Sequence, residues 1–222
     1  MDELAPGTAS SVLQWIGVAF VVGLAPFALI CVTAYAKISI VLSFLQRALG
    51  LQQVPSAAVI AAISILLTTF VMGPVAADMV DVAAPRLPAA TADRDAVVPL
   101  VVDTLDPLVK WLGQQTGADE REVFVGLGQE LYPEAHRDLV APDSLLVVAP
   151  AFLLTELKEA FVIGFLLFVP FVVIDFVVAN ILMSLGMQTL SPTAISLPFK
   201  LLLFAMIDGW TLLLQGLVLG YA

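Results

Sequence analysis

The residues of this sequence that could carry chemistry are charged side chains inside its most apolar segments. Glu156 and Glu159 are three residues apart, so a helix places both carboxylates on one face, where such pairs can act as acid and base. Lys158 lies beside them, and we favour an ion network over acid–base catalysis. The charges within the apolar segments of the last third of the chain are Glu156, Lys158, Glu159, Asp175, Lys200 and Asp208.

Other patterns typical of enzymes and ligand-binding proteins are missing from the sequence. It contains neither a G-x-x-x-x-G-K-[ST] phosphate loop nor a G-x-S-x-G nucleophile turn. The single cysteine, Cys31, and the single histidine, His136, are too few for a Cys/His zinc site. We expect Cys31 to be packed among apolar residues and His136 to be a solvated loop residue. We therefore predict that the chain is not an enzyme, and we expect no metal, no cofactor and no nucleic-acid partner.

The composition indicates a membrane protein. Hydrophobic residues make up 60 % of the 222 residues, charged residues 13 %, and the mean hydropathy is +1.03. Soluble domains carry about 25 % charged residues. The net charge of -10 is concentrated between Asp78 and Asp143, a segment that contains thirteen acidic and five basic residues. We interpret this segment as exposed to water and infer no binding partner from its charge.

The charges make the last apolar segment a marginal membrane span. Residues 197–219 include thirteen Leu, Ile, Phe or Val residues, which favour insertion by roughly 4–8 kcal/mol, whereas Lys200 and Asp208 oppose it by about 5–7 kcal/mol. Either these charges lie near the interfaces and are solvated, or they face protein or a water-filled path. Eight residues along one helix would separate Lys200 from Asp208 by about 80°, so they cannot pair with each other. We expect their partners on neighbouring helices, including those of another subunit.

The apolar segments predict an all-α fold of two helical hairpins. The first helix is expected over residues 12–35, kinked or broken at Pro26, and the second begins near Ser56 and ends or bends at Gly73–Pro74. We expect Lys37 and Arg47 in the connection between them. The last third forms the second hairpin, with Pro150 and Pro170 interrupting its first helix, and 197–219 as its second.

A small soluble insert separates the hairpins, so we divide the chain into 1–77, 78–143 and 144–222. Its beginning is a Pro/Ala-rich linker, and two short amphipathic helices follow. Asp119 is expected to cap the second of them, with Glu122 as its capping-box partner. Because Lys and Arg favour the cytoplasmic side, Lys37, Arg47 and Lys200 place both hairpin tips in the cytoplasm, with the insert and both termini outside.

Several long motifs resemble one known family. These are "PAFLLTELKEAFVIGF" at 150–165, "LGMQTLSPTAISLPFKLLLF" at 185–204, "DGW" at 208–210, "LQRALGLQQVPS" at 45–56 and "FVMGPV" at 70–75. Together they resemble the FliP/SctR family, the export-gate membrane proteins of type III secretion and flagellar assembly. The residues "ALGLQQVP" within the motif at 45–56 are more similar to the virulence-type branch. The residues that carry the signature are Pro150, Phe161, Gly164, Pro192, Pro198, Phe199, Gly209 and Trp210.

The resemblance implies a protein that assembles into a helical ring, of five like subunits, in the bacterial inner membrane. Two smaller membrane proteins, similar to SctS/FliQ and SctT/FliR, would complete a pore that conducts unfolded protein substrates and projects towards the periplasm. In such a ring Glu156, Lys158, Glu159, Asp175, Lys200 and Asp208 would be buried or lie between subunits. Neighbouring subunits would then shelter the charges.

The resemblance also assigns a role to the run "GMQTLSP". Family members have a methionine-rich loop here that closes the pore as a gasket. This chain keeps Met187 but has Gln188 and Thr189 where further methionines are common, so we assign the gasket to Met187, Gln188 and Leu190. The alternative is a simple hairpin turn.

Two other functions compete with a pore subunit. One is a small ion-coupled secondary transporter or channel that uses Asp175, Lys200 and Asp208 as a relay. A transporter is expected to show an internal repeat, which is not evident in this sequence. The other is an assembly scaffold without a pore.

Overall fold

The structure, a computed structural model, describes residues 16, 19–20, 23–51, 54–88, 96–187 and 189–222, and most of these residues are helical. No strand occurs among these residues, and the predicted all-α class is confirmed. In chain order the elements are α1 (Gly23–Cys31), α2 (Tyr35–Ala48), α3 (Ala57–Ala83), α4 (Val97–Gln115), α5 (Ala118–Leu131), a 3-10 helix (Glu134–Val140), α6 (Leu145–Ser184), α7 (Pro192–Met206) and α8 (Gly209–Leu219).

Helix α2 forms the centre of the core. Ile38, Val41 and Leu45 are almost completely buried, because α3 and α6 pack against this helix. Leu213 and Leu217 of α8 belong to the same apolar cluster. The segment that the sequence predicts to connect the first two spans is therefore a helix that is mostly surrounded by protein.

The first hairpin differs from its prediction in two ways. Pro26 lies inside α1, and the chain bends at 32–34 instead, by 73° between α1 and α2. Lys37 and Arg47 lie within α2, not in a connection, because α2 begins at Tyr35. Part of the predicted first helix (12–15, 17–18 and 21–22) lies outside the described residues.

Contrary to the prediction, the long apolar helices are not interrupted at their prolines. Helix α3 begins as expected, with the Ser56 hydroxyl accepting a hydrogen bond from Val59, but it continues through Pro74 to Ala83. Helix α6 runs for 40 residues through Pro150 and Pro170. A proline removes one backbone hydrogen bond, and in an apolar setting the remaining bonds have no water to compete for them, so the helix persists.

The final segment is two helices where one was predicted. Helix α7 begins at Pro192 and ends at Met206, and α8 leaves it at an angle of 61°. Asp208 lies in the break, in the left-handed conformation at φ 51°. Aspartate tolerates this conformation better than most residues, so the break falls where the sequence permits it.

The two amphipathic helices of the insert are present as α4 and α5, but the predicted cap is wrong. The N-cap of α5 is Gly117, and Asp119 lies in the first turn. The Gly117 N–H donates to the Thr155 hydroxyl on α6 at 3.0 Å, so a residue distant in sequence replaces the local cap. The start of α5 is thereby attached to α6.

Two helices, α3 and α6, are long and apolar enough to cross a membrane. The bent pairs α1–α2 and α7–α8 pass the same test of length and composition if each pair is taken as one span. Four crossings are therefore the largest number that the described helices offer.

Gly164 allows α2 and α6 to approach closely. A Cβ at this position would lie 2.5 Å from Cδ2 of Phe44, whose ring packs edge-on against Phe161. A Cβ at Gly209 would similarly lie 2.3 Å from Cδ2 of the Phe204 ring. These two signature glycines are explained by aromatic packing.

We predict that Gly164→Ala lowers the stability of the chain by about 1–3 kcal/mol, because the added methyl group forces the Phe44 ring out of its position. Thermal unfolding in detergent measures the loss. Gly216→Ala on α8 is the matched control, since a Cβ there meets no described atom within 4 Å. Equal unfolding temperatures for the two variants would contradict this account of the packing.

Candidate functional site

Lys37 on α2 is enclosed by a cluster that we call the Lys37 cluster: Lys37, Glu156, Glu159 and Tyr221. Its Nζ lies 2.9 Å from Glu156 Oε1 and 2.7 Å from Glu159 Oε2, and the Lys37 and Glu156 side chains are only 4 % and 1 % exposed. Buried ions require this kind of pairing, because their loss of hydration is large. The predicted ion network exists, but its cation is Lys37, not Lys158.

Tyr221 completes the Lys37 cluster from beyond α8. Its hydroxyl donates to Glu156 Oε2, and the Lys37 ammonium lies 4.1 Å from the centre of its ring. The ring stacks on Trp111 of α4 at 5.8 Å, and Trp111 also contacts Phe152. One tyrosine therefore joins α2, the insert, α6 and the end of the chain.

A second set of buried polar groups surrounds Lys200, and we call it the Lys200 cluster. Lys200 Nζ lies 2.6 Å from Asp175 Oδ2 on α6 and donates to the Ala48 carbonyl at 3.2 Å. Ser196 donates to the other Asp175 oxygen. A cation suits the carbonyl end of α2, where the helix dipole is negative. The partner of Lys200 is thus on the neighbouring helix of the same chain.

Lys158 points away from the Lys37 cluster and towards the insert. It donates a hydrogen bond to Glu120 on α5, and this ammonium group lowers the pKa of the Glu120 carboxyl group below its ordinary value. Together with the bond from Gly117 to Thr155, this pair fixes the start of α5 on α6. Polar contacts to a long apolar helix therefore hold the start of α5, while α4 is held by apolar packing of Leu112 and Trp111 against the same helix.

Asp208 is a predicted site residue that belongs to neither the Lys37 cluster nor the Lys200 cluster. It is exposed in the break between α7 and α8, and among the described residues it has no ion-pair partner. The helical spacing that separated it from Lys200 does not apply, because the two residues do not share a helix.

The loop between α6 and α7 holds the predicted gasket. Met187 and Leu190 are 46 % and 43 % exposed, and Gly186 turns the chain with φ +73°. Gln188 lies outside the described residues. The loop therefore presents two apolar side chains at one end of the hairpin.

The signature residues are distributed over α6, α7 and α8. Pro150 and Phe161 lie on α6, Pro192 is the first residue of α7, and Pro198 and Phe199 follow on α7. Trp210, at the start of α8, packs edge-on against Phe204 at 5.5 Å. Phe161 and Trp210 thus make aromatic packing contacts.

Sequence reasoning missed two members of the Lys37 cluster, Lys37 and Tyr221, and two residues by which the insert contacts the hairpins, Trp111 and Glu120. Lys37 offered a signal, since it is a lone cation between two apolar segments, where an intramembrane charge implies a partner. Within the described ranges, no three His, Cys, Asp or Glu side chains converge on a point that could hold a metal ion.

Comparison with known proteins decides the family. The sequence model of the FliP family matches residues 18–217, which is most of the chain. The chain belongs to the FliP family.

Relatives of this FliP-family chain come from both secretion and flagellar systems. It is 43 % identical over 204 residues to the hypersensitivity response secretion protein HrcR of Ralstonia nicotianae, covering 91 % of this chain and 94 % of that protein. It is 40 % identical over 198 residues to the Yop proteins translocation protein R of Yersinia pestis, covering 89 % and 91 %. It is 39 % identical over 213 residues to the flagellar biosynthetic protein FliP of Caulobacter vibrioides, covering 96 % and 77 %.

These findings confirm the family predicted from the motifs. The FliP family consists of secretion-apparatus proteins of type III and flagellar export, not of enzymes. Together with the apolar helices, membership makes this chain an inner-membrane protein of an export apparatus.

We predict that Glu156→Leu in this FliP-family chain costs about 3–5 kcal/mol of stability, because Lys37 stays buried and loses its enclosed partner. The double variant Lys37→Met, Glu156→Leu should recover most of that loss, since both charges leave together. Thermal unfolding in detergent measures all variants. Glu159→Gln is the control and should lose less, because Glu159 is half-exposed. A double variant no more stable than Glu156→Leu would show that the pair is not the reason for the loss.

Proposed function

We propose that this chain is a core subunit of the type III secretion export gate and forms, with like subunits and partner membrane proteins, a protein-conducting pore across the bacterial inner membrane. The family match over residues 18–217 is the observation that carries this proposal. Relatives named as a secretion protein and a Yop translocation protein support the protein-export part of it.

The apolar surface of the single chain supports assembly. Large side chains on both spanning helices are widely exposed, among them Leu66 and Phe70 on α3 and Phe165 on α6. Lipid or protein must cover such a surface. A ring of like subunits, five in number, completed by SctS/FliQ-like and SctT/FliR-like proteins, would cover part of it and leave a central path for unfolded protein substrates.

The proposed topology is multi-pass, with the insert 78–143 between the hairpins on the periplasmic side. Arg47 lies in the last turn of α2, beside the tip of the first hairpin, and the positive-inside rule places such a residue in the cytoplasm. Since α3 follows that tip and is long enough to cross the membrane, the insert after it lies on the opposite side.

The mass and shape of the purified particle test this function. The chain is expressed with its partner membrane proteins, purified in mild detergent, weighed by light scattering and imaged. We expect a closed ring with a central path. A stable monomer that conducts ions by itself would replace the gate with the rival function, a small ion-coupled transporter.

The loop between α6 and α7 is proposed to close the pore at rest. Its exposed Met187 and Leu190 support this role, because flexible thioether and aliphatic side chains fill an irregular opening without binding water. In a ring, each subunit would contribute one such loop.

We predict that Met187→Ser lets small ions leak through the resting gate several-fold faster, because a hydroxyl group both shortens the side chain and attracts water. Leak is measured as dye or ion flux across vesicles that contain the assembled gate. Met183→Ser is the matched control, since Met183 is also exposed but belongs to α6. The gasket assignment fails if both variants leak equally or neither leaks.

A further inference from the structure

Apart from Asp78 and Asp81 at the insert end of α3, the charged residues that the structure describes in the two hairpins leave one cation and one anion without an ion-pair partner. In the described ranges 23–51, 54–77 and 145–222 there are eight Asp, Glu, Lys and Arg residues. Six form ion pairs within the chain: Lys37, Glu156, Glu159, Lys158, Asp175 and Lys200. Among the described residues, Arg47 and Asp208 have no such partner. They are opposite in sign.

Arg47 lies at a groove between α2 and α6. The groove measures about 300 Å3, and its lining consists of Ser39, Ile40, Ser43, Phe44, Arg47 and Phe161. Ser39 and Ser43 donate their hydroxyl hydrogens to carbonyls of α2 itself, whereas the Arg47 guanidinium group has no hydrogen-bond acceptor among the described residues. An exposed arginine with aromatic walls suits a carboxylate, which it can bind through two parallel hydrogen bonds.

Asp208 lies at an exposed corner of the chain. The bend of 61° places it between α7 and α8, and Met206, Ile207 and Trp210 beside it are exposed. The corner thus offers a carboxylate with apolar neighbours, and the groove offers a guanidinium group with apolar walls. The two surfaces are complementary in both charge and polarity.

We propose that Asp208 of one copy of this chain binds Arg47 of the next copy. The inference rests on the proposed assembly of like subunits and names the contact that joins them. A carboxylate among exposed apolar side chains is unfavourable without a partner, and the exposed Arg47 at the end of α2 in a second copy can supply one. Groove and corner are different surfaces, so the contact is head-to-tail, which is the kind of interface that closes rings.

Disulfide trapping tests which copy supplies the partner. Two differently tagged chains, both with Cys31→Ala, carry Arg47→Cys and Asp208→Cys respectively and are expressed together and oxidised. A disulfide-linked dimer that holds both tags is expected. The matched control pairs Arg47→Cys with Asp81→Cys, because Asp81 is also an exposed acid without an ion-pair partner among the described residues. Equal linkage in the control overturns the proposal.

Charge exchange tests the same contact through the yield of assembled rings. Arg47→Asp and Asp208→Arg should each reduce the yield of rings by about tenfold or more, as for other close interfacial charge pairs. The double variant should return most of the yield, because the attraction is restored with its direction reversed. Arg47→Lys and Asp208→Glu, which keep the charges, should retain more than the single reversals.

The outcomes separate this contact from the proposed function. Rings from the wild-type chain, with no specific disulfide and no rescue by charge exchange, overturn the contact and leave the export gate standing. A wild-type chain that stays monomeric beside its partners overturns both. Loss of bound phospholipid in Arg47 variants only, with Asp208 variants unaffected, assigns the groove to a lipid phosphate and overturns the contact.

Discussion

The enclosure of Lys37 is the constraint on which the packing of this chain depends. An ammonium group that is almost fully buried in an apolar helix is tolerated only when acceptors surround it. Glu156, Glu159 and the ring of Tyr221 meet that need, and they come from α6 and from beyond α8. A single charge therefore fixes three helices relative to one another, which apolar contacts, being non-directional, would do less specifically.

The Lys200 cluster acts on the same helix from its other end. Lys37 lies in the first turn of α2, and Ala48, whose carbonyl accepts from Lys200, is its last residue. Helix α2 is thus held at both ends by ammonium groups, one of its own and one of α7. The apolar cluster between them fills the space, while the ions determine where along α6 the helix sits.

The class of the fold and the membrane character followed from composition and hydropathy, and the motifs identified the family. The positions of helix breaks were harder to predict, because Pro74, Pro150 and Pro170 lie inside continuous helices whose remaining hydrogen bonds have no competition from water. The bend at 32–34 contains no glycine or proline from which it could be predicted. Asp175 and Lys200 were both recognised as unusual, but their pairing depends on the register of the α6–α7 hairpin, which spacing along one helix cannot supply.

The contacts of Lys200 and Tyr221 also impose an order on biogenesis. The carbonyl of Ala48 finds its cation 152 positions later in the sequence, and Glu156 finds its phenol 65 positions later. Closing such distant contacts is slow, since chain entropy opposes it. During translation the first hairpin therefore cannot complete its contacts before the last helices have been made, and until then Lys37 must remain hydrated or at the lipid headgroups.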